Sequence, residues 1–389
     1  MKLSRSFPFL LMAVLVLLAP SCGEADPTPP PTLEPTDLPQ ESPTQAVSTP
    51  VSRDLFDFST TGFGFFPTPP EPTVSSSTQN IKAMSEHADI MLFQEAIPWE
   101  TFQQGVEVDS PRIRGIGDVV NYGQFYGMQP VIVVDPLNGL NRREFQGLPE
   151  AWGQADFSTP EVRTAYKNFS VRIAREFQPR YLGLASEINT YLDTYPDQMD
   201  AFLSLYQETY QAVKEESPDT QVFVTFQWDD LNRLDGDGTP YDVKWDQIEI
   251  FEPELDIWAI STYPHFFHES LEDVPVDYYT PLLERTEKPL AIAESGWTTQ
   301  ETGRGTGTPE EQAAFLEEVD DQIGERLAFW VNLIYADLDW EAYRTIFAEQ
   351  GSVEDMETLS PFVYLGMVNT DGTPNPARQN WEELRAREK

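Results

Sequence analysis

The chain has 389 residues, with 65 Asp and Glu against 25 Lys and Arg, for a formal net charge of −40. A hydrophobic fraction of 40% and a charged fraction of 23% are those of a folded globular chain, long enough for one large domain or two smaller ones. So negative a balance excludes nucleic acid, whose phosphates need clustered Lys and Arg, and it excludes binding to the anionic face of a membrane.

The lone cysteine, Cys22, excludes an intramolecular disulfide framework and a Cys-based zinc site. His265 and His268 stand three apart, but Tyr263-Pro-His-Phe-Phe-His carries a proline and no helical pattern, so they do not read as a metal pair. Neither GxGxxG nor GxxxxGK[ST] is present. No metal or organic cofactor is implied.

In chain order, residues 1–22 read as a signal peptide. Lys2 and Arg5 precede the apolar run Phe7 to Leu18, which is too short to span a bilayer. Ala19-Pro20-Ser21 places small residues directly before Cys22. This resembles a bacterial lipoprotein box, with Ala19 where Leu is preferred, and it makes Cys22 the candidate lipid attachment site. Ordinary secretion is the alternative. Residues 23–53 are rich in Pro, Thr, Ser and Glu with few large apolar residues, as in Asp26-Pro27-Thr28-Pro29-Pro30-Pro31. Such a segment cannot bury enough surface to fold, and it reads as a disordered, extended stalk. The expected product is exported, touching a membrane only through that anchor.

Residues 54–389 read as one domain of alternating strands and helices. The expected strands are Gly62–Phe66, Ile90–Gln94, Pro130–Asp135, Tyr181–Glu187, Gln221–Gln227, Ile257–Tyr263, Pro289–Glu294 and Ala328–Tyr335. Helical patterns lie between them, notably Thr159–Phe177, Gln198–Glu215 and Pro309–Arg326; the last follows Thr308 with Glu311 three residues on, a capping box. Eight strands with intervening helices fit an α/β fold, the (β/α)8 TIM barrel, better than an open doubly wound sheet. The open sheet would offer a glycine-rich first turn, and here the first strand runs into Phe66-Pro67-Thr68-Pro69-Pro70.

Active sites of such barrels lie at the C-terminal strand ends. Here those ends carry Gln94, Glu95, Asp135, Glu187, Gln227, Trp228, Tyr263, Glu294, Trp297, Tyr335 and Asp337, with His265 just beyond. The ring contains carboxylates, amides and aromatics but no Lys or Arg, a mixture suited to a carbohydrate. Trp228 and Trp297, each close behind a strand end, are the expected stacking platforms. Glu187 and Glu294 each follow an apolar strand, and glycosidic hydrolysis needs one carboxylic acid and one facing carboxylate. For either glutamate alone, capping the following helix would be the simpler role; two of them, across one barrel mouth, favour catalysis.

Pro289–Trp297 resembles the Glu-[ST]-Gly-Trp nucleophile segment of endo-β-1,4-galactanases and β-1,3-glucanases. They belong to the clan of retaining (β/α)8 glycoside hydrolases with glutamates after strands four and seven. Ile260-Ser-Thr-Tyr263-Pro is similar to their sixth strand, and Leu365-Gly-Met-Val-Asn-Thr-Asp-Gly-Thr-Pro-Asn-Pro-Ala377 to the segment before their final helix, with Asn375 in place of Lys. The resemblance implies Glu187 as acid/base, Glu294 as nucleophile and Tyr263 as the residue that positions Glu294. Since two adjacent carboxyls repel when both are charged, the Tyr263 hydrogen bond is expected to keep Glu294 ionised and leave the proton on Glu187. Ser186 stands where the clan has an Asn that holds the sugar 2-hydroxyl, and Asn189 is the nearest replacement. Asp135, Tyr335 and His265 complete the expected substrate-binding set. A lipid-anchored, non-catalytic carbohydrate-binding protein on a degenerate barrel is the alternative function.

Overall fold

The computed structural model describes residues 60–350 and 358–387. The signal peptide, the stalk and Cys22 lie outside the described residues. No helix among the described residues is long and apolar enough to cross a membrane.

Eleven strands follow in chain order: β1 Gly62–Phe66, β2 Ile90–Ala96, β3 Gln129–Asp135, β4 Leu137–Asn138, β5 Asn141–Phe145, β6 Tyr181–Gly183, β7 Gln221–Phe223, β8 Thr225–Gln227, β9 Trp258–Thr262, β10 Leu290–Ser295 and β11 Leu327–Ile334. Nine of them form one parallel sheet in the order β7-β6-β3-β2-β1-β11-β10-β9-β8. The two ends of that order are neighbours in sequence, separated only by Val224. Leu184 N–H donates to the Phe223 carbonyl at 2.8 Å and Thr225 N–H to the Ala185 carbonyl at 3.1 Å, so pairing continues across the break. The sheet therefore closes as a TIM barrel whose fifth strand is β7 and β8 in tandem, β6 being the fourth and β10 the seventh.

Closure depends on close approach at the first strand. A Cβ on Gly64 would lie 2.3 Å from the Ile90 carbonyl oxygen, so only glycine fits there. The other face of β1 carries Phe63 and Phe65, each with its ring centroid 5.0 Å from Trp381 on the C-terminal helix Pro376–Arg385. That helix is tied back by Trp381 Nε1 donating to the His87 carbonyl at 2.9 Å and by an Arg385–Asp89 ion pair at 2.7 Å. First and last barrel elements are thus packed together.

Two expected boundaries shift. The regular fourth strand ends at Gly183, single hydrogen bonds continue through Leu184 and Ala185, and the chain turns away at Glu187, which has left-handed backbone (φ 48, ψ 43). The helix Pro309–Ile323 is N-capped by Thr308, whose hydroxyl accepts the Glu311 N–H at 3.1 Å, and it ends in a 3-10 turn at Gly324–Arg326. Beyond the eighth strand, the helix Trp340–Gln350 follows.

One element lies outside the alternating pattern. β4 and β5 form an antiparallel hairpin directly after β3, turned by Gly139-Leu140, with Leu140 N–H donating to Asn138 Oδ1 at 2.9 Å. It carries Arg142 over the barrel mouth.

Candidate active site

A cavity of about 440 Å³ opens at the C-terminal strand ends, with Arg142, Glu187, Gln227, Tyr263 and Glu294 in its wall. A larger cavity of about 850 Å³, between Phe63, Leu283, Ile323 and Leu384, lies at the opposite end of the barrel. In this fold the N-terminal end serves stability, whereas chemistry is built on the C-terminal loops.

Glu187 is aimed by its backbone. A non-glycine residue in the left-handed region costs about 1–3 kcal/mol and persists where neighbours over-determine it. Here the Glu187 N–H donates to Thr225 Oγ1 at 2.8 Å, across the break in the fifth strand. The carboxylate accepts from Ser261 Oγ at 2.5 Å and from Arg142 Nε at 2.8 Å. Glu294 is aimed by a register shift: Ile292 pairs with Ile260 but Glu294 with Ser261, so Ala293 is a bulge that turns the next side chain. Its carboxylate accepts from Tyr263 Oη at 3.2 Å, Ser186 Oγ at 3.0 Å and Gln94 Nε2.

Arg142 joins the two. Its Nη1 donates to Asp135 Oδ2 at 2.5 Å, and its Nη2 donates to Ser186 Oγ at 3.1 Å and lies 3.6 Å from Glu294 Oε1. One guanidinium therefore touches three carboxylates in a site where all four side chains are largely removed from water. Burial alone would lower the Arg142 pKa, but Asp135, Glu187 and Glu294 hold it above its ordinary value, so it stays charged. Glu294 is pushed up to about 7, first by burial and then by repulsion from Glu187, against the pull of Arg142 and the Ser186 hydrogen bond. Burial and the same two glutamates raise Tyr263 well above its usual range, so its hydroxyl remains a donor.

Two expectations are corrected here. The strand-end ring does contain an arginine, supplied by the β4–β5 hairpin rather than by a strand end. Glu294, although it receives the Tyr263 hydrogen bond, is not held in the ordinary ionised range: burial and its neighbour outweigh one neutral donor.

The structure brings Glu187, Glu294, Tyr263 and Ser186 together and takes the other expected residues elsewhere. Asp135 is buried beneath Arg142, with Oδ1 accepting the Leu137 N–H at 3.1 Å. Asn189 does not face the cavity; its amide bonds Gln227 N–H and carbonyl and Asp230, tying the following helix to β8. Trp228 is fully buried against Trp245 and Tyr278, and Trp297 against Phe315 and His265, so neither offers a stacking face. His265 accepts no ligand position: it is buried, its Nδ1 3.1 Å from the Gly296 carbonyl, and burial lowers its pKa to about 3. Tyr335 points to the outer side of the barrel, stacked on His87 and against Phe65. The aromatic lining comes instead from Phe266, Phe267, Phe362 and Tyr263. Among the described residues, no group of three or more His, Cys, Asp or Glu could hold a metal ion.

Sequence reasoning missed Arg142 and Ser261. Arg142-Arg143 was visible as a basic pair seven residues past Asp135 in an acidic chain; for Ser261 no signal distinguished it from its neighbours.

A parallel eight-stranded barrel with paired carboxylates at its mouth defines the structural class. No protein-family model matches the sequence, and no curated protein matches it either. Among solved structures, the chain is similar to the exo-β-1,4-mannosidase Op5Man5 from Opitutaceae bacterium strain TAV5, at 14% identity and TM-score 0.61 over 84% of this chain, which spans 59% of that protein's length. It is also similar to a GH5_18 protein from Streptomyces cattleya in complex with Manβ1-4GlcNAc, at 14% identity and TM-score 0.60 over 84% of this chain and 80% of that one. A GH5_18 protein from Bifidobacterium longum subsp. longum gives 16% identity, TM-score 0.58 and coverages of 84% and 78%. At such identity the likeness establishes the shared barrel.

Proposed function

We propose that the protein is a glycoside hydrolase that cleaves its substrate with retention. The observation that carries this reading is the convergence of Glu187 and Glu294, from the fourth and seventh barrel strands, on one guanidinium at the wall of an open cavity. Glu294 attacks the anomeric carbon as the glycosidic C–O bond breaks, and Glu187 gives its proton to the departing oxygen. Glu187 then takes a proton from water, whose oxygen displaces Glu294 from the sugar. Tyr263 orients Glu294 throughout, and Ser186 stands within reach of the same carboxylate.

Arg142 has two roles in this scheme. Its charge offsets part of the repulsion between the glutamates. Its Nε also holds Glu187 Oε2 at 2.8 Å and so fixes the orientation of that carboxyl group. Proton NMR of the first-formed anomer on a cleaved substrate tests the reading: the starting configuration is expected, and the opposite anomer would overturn retention.

A carbohydrate-binding protein without turnover is the second reading, favoured by Arg142 engaging both glutamates at once. Binding to a polysaccharide panel without any product would select it. We further propose export with lipid on Cys22; mass spectrometry of the mature N-terminus should find acylated Cys22, and an unmodified cysteine would refute it.

A further inference from the structure

Cations are scarce in this chain, and almost all of those described are already engaged. Arg180 lies over the Tyr181 ring. Of the others, only Lys82, Arg143 and Arg304 have no carboxylate within 4.0 Å among the described residues, although acids outnumber bases by 65 to 25. Lys82 lies on the remote helix Val74–Met84. Arg143 and Arg304 are both exposed, and both line the cavity that holds Glu187 and Glu294.

Their places in the fold are complementary. Arg143 belongs to the hairpin after the third barrel strand and Arg304 to the loop after the seventh, and in an eight-stranded barrel those strands stand across from each other. Each is supported locally. The Arg304 guanidinium sits 5.1 Å from the centroid of Phe266, and the Arg143 N–H donates to Asn141 Oδ1 at 3.2 Å within the hairpin. Between them the cavity wall is acidic, with Glu187, Asp193, Asp230 and Asp235. A neutral sugar needs no cation to enter such a cavity. An anionic sugar is repelled unless a guanidinium meets each acid group, and the planar fork of Arg suits carboxylate and sulfate oxygens.

We propose that the cavity takes an anionic saccharide, bearing uronic acid carboxylates or sulfate esters, with Arg143 and Arg304 gripping acid groups on opposite walls of the mouth. The position of those groups about the scissile bond rests on the hydrolase reading; the ligand class does not. The test measures binding and turnover by the purified chain on an oligogalacturonide, a sulfated oligosaccharide and a neutral cello-oligosaccharide of equal length. Tenfold or more preference for an acidic ligand is expected, from about two charge-assisted hydrogen bonds, and it should shrink as salt rises from ~50 to ~500 mM. The double variant Arg143→Gln/Arg304→Gln should reduce the ratio of acidic to neutral affinity by about tenfold. The uronide and sulfate arms identify which anion is read. Equal or better handling of the neutral ligand, or an unchanged ratio in the double variant, overturns the proposal while leaving hydrolysis standing. Acidic preference without product removes hydrolysis and keeps the ligand class.

Discussion

Arg142 and Lys244 make an instructive pair, because each is a buried cation among three carboxylates. Lys244, 4% exposed, lies 2.7 Å from Asp193, 2.6 Å from Asp237 and 3.7 Å from Asp230. Arg142, 8% exposed, holds Asp135, Glu187 and Glu294. Counting charges would not separate a structural clamp from a reactive site. What separates them is the scaffold and the outlook. Lys244 closes the loop 232–244 onto the helix Ile188–Thr194, its backbone N–H donating to the Leu231 carbonyl at 3.0 Å, and does not itself reach the cavity. Arg142 faces the cavity and reaches acids fixed by strand ends, a bulge and a left-handed residue. The lysine is a staple, and the arginine sits where an incoming ligand can displace it.

The largest expected contrast is in turnover. Glu187→Gln and Glu294→Gln should each lower kcat by roughly 10²–10⁴-fold on a cleaved substrate. Asp193→Asn, which removes an acid from the other cluster, should cost far less. If Asp193→Asn proved as damaging as either glutamate variant, the two clusters would not be distinct. Stability should show the reverse emphasis. Lys244→Met leaves Asp193, Asp230 and Asp237 without their shared cation, and because the carboxylates are partly solvated the cost should be about 1.5–3 kcal/mol. Urea unfolding reads this directly, and an unchanged midpoint would show that water replaces the lysine at no cost.

A third contrast uses pH. Glu294 is raised to about 7 from an ordinary carboxylate value, chiefly by burial. A group raised in the folded state contributes stability that is complete below its unfolded pKa and is lost as pH rises through the folded one. Above pH 7 the buried charge therefore destabilises the protein, by up to about 3 kcal/mol. Glu294→Gln does not titrate, so its melting temperature should exceed that of the parent at pH 8 and approach it at pH 5. A difference that is the same at both pH values would show that Glu294 ionises in the fold without penalty.

Much of this arrangement was legible in the sequence, and the parts that were not share a cause. Apolar runs alternating with amphipathic stretches identify the barrel because both periodicities are set by the core. Glu187, Tyr263 and Glu294 were found because each directly follows such a run. Arg142 escaped because it sits on a two-stranded hairpin with no apolar period, where the strand-end rule does not look. Trp228 and Trp297 misled for the opposite reason: position after a strand says nothing about direction, and both are fully buried, Trp228 against Trp245 and Tyr278 and Trp297 against Phe315 and His265. The breaks at Glu187 and Val224 are backbone events, and no side-chain pattern in Leu184–Glu187 or Gln221–Gln227 announces them.

The finest test of the comparison is the acid limb of the pH–rate profile, which under the hydrolase reading reports ionisation of Glu294. With an aryl glycoside whose leaving group needs no proton, that limb should fall near pH 7 in the parent. Arg142→Gln removes a cation 3.6 Å from Glu294, which favours its charged form, so the limb should move up by about one unit. Glu187→Gln removes the repelling charge and should move it down. Tyr263→Phe deletes a neutral donor at 3.2 Å, so its shift should also be upward but smaller, a few tenths of a unit. Lys244→Met, which removes a cation paired with Asp193, Asp230 and Asp237 rather than with Glu187 or Glu294, should leave the limb in place. The order of these shifts is the discriminating result. A Tyr263→Phe shift larger than that of Arg142→Gln would mean that hydrogen bonding, not the hairpin's charge, sets the nucleophile.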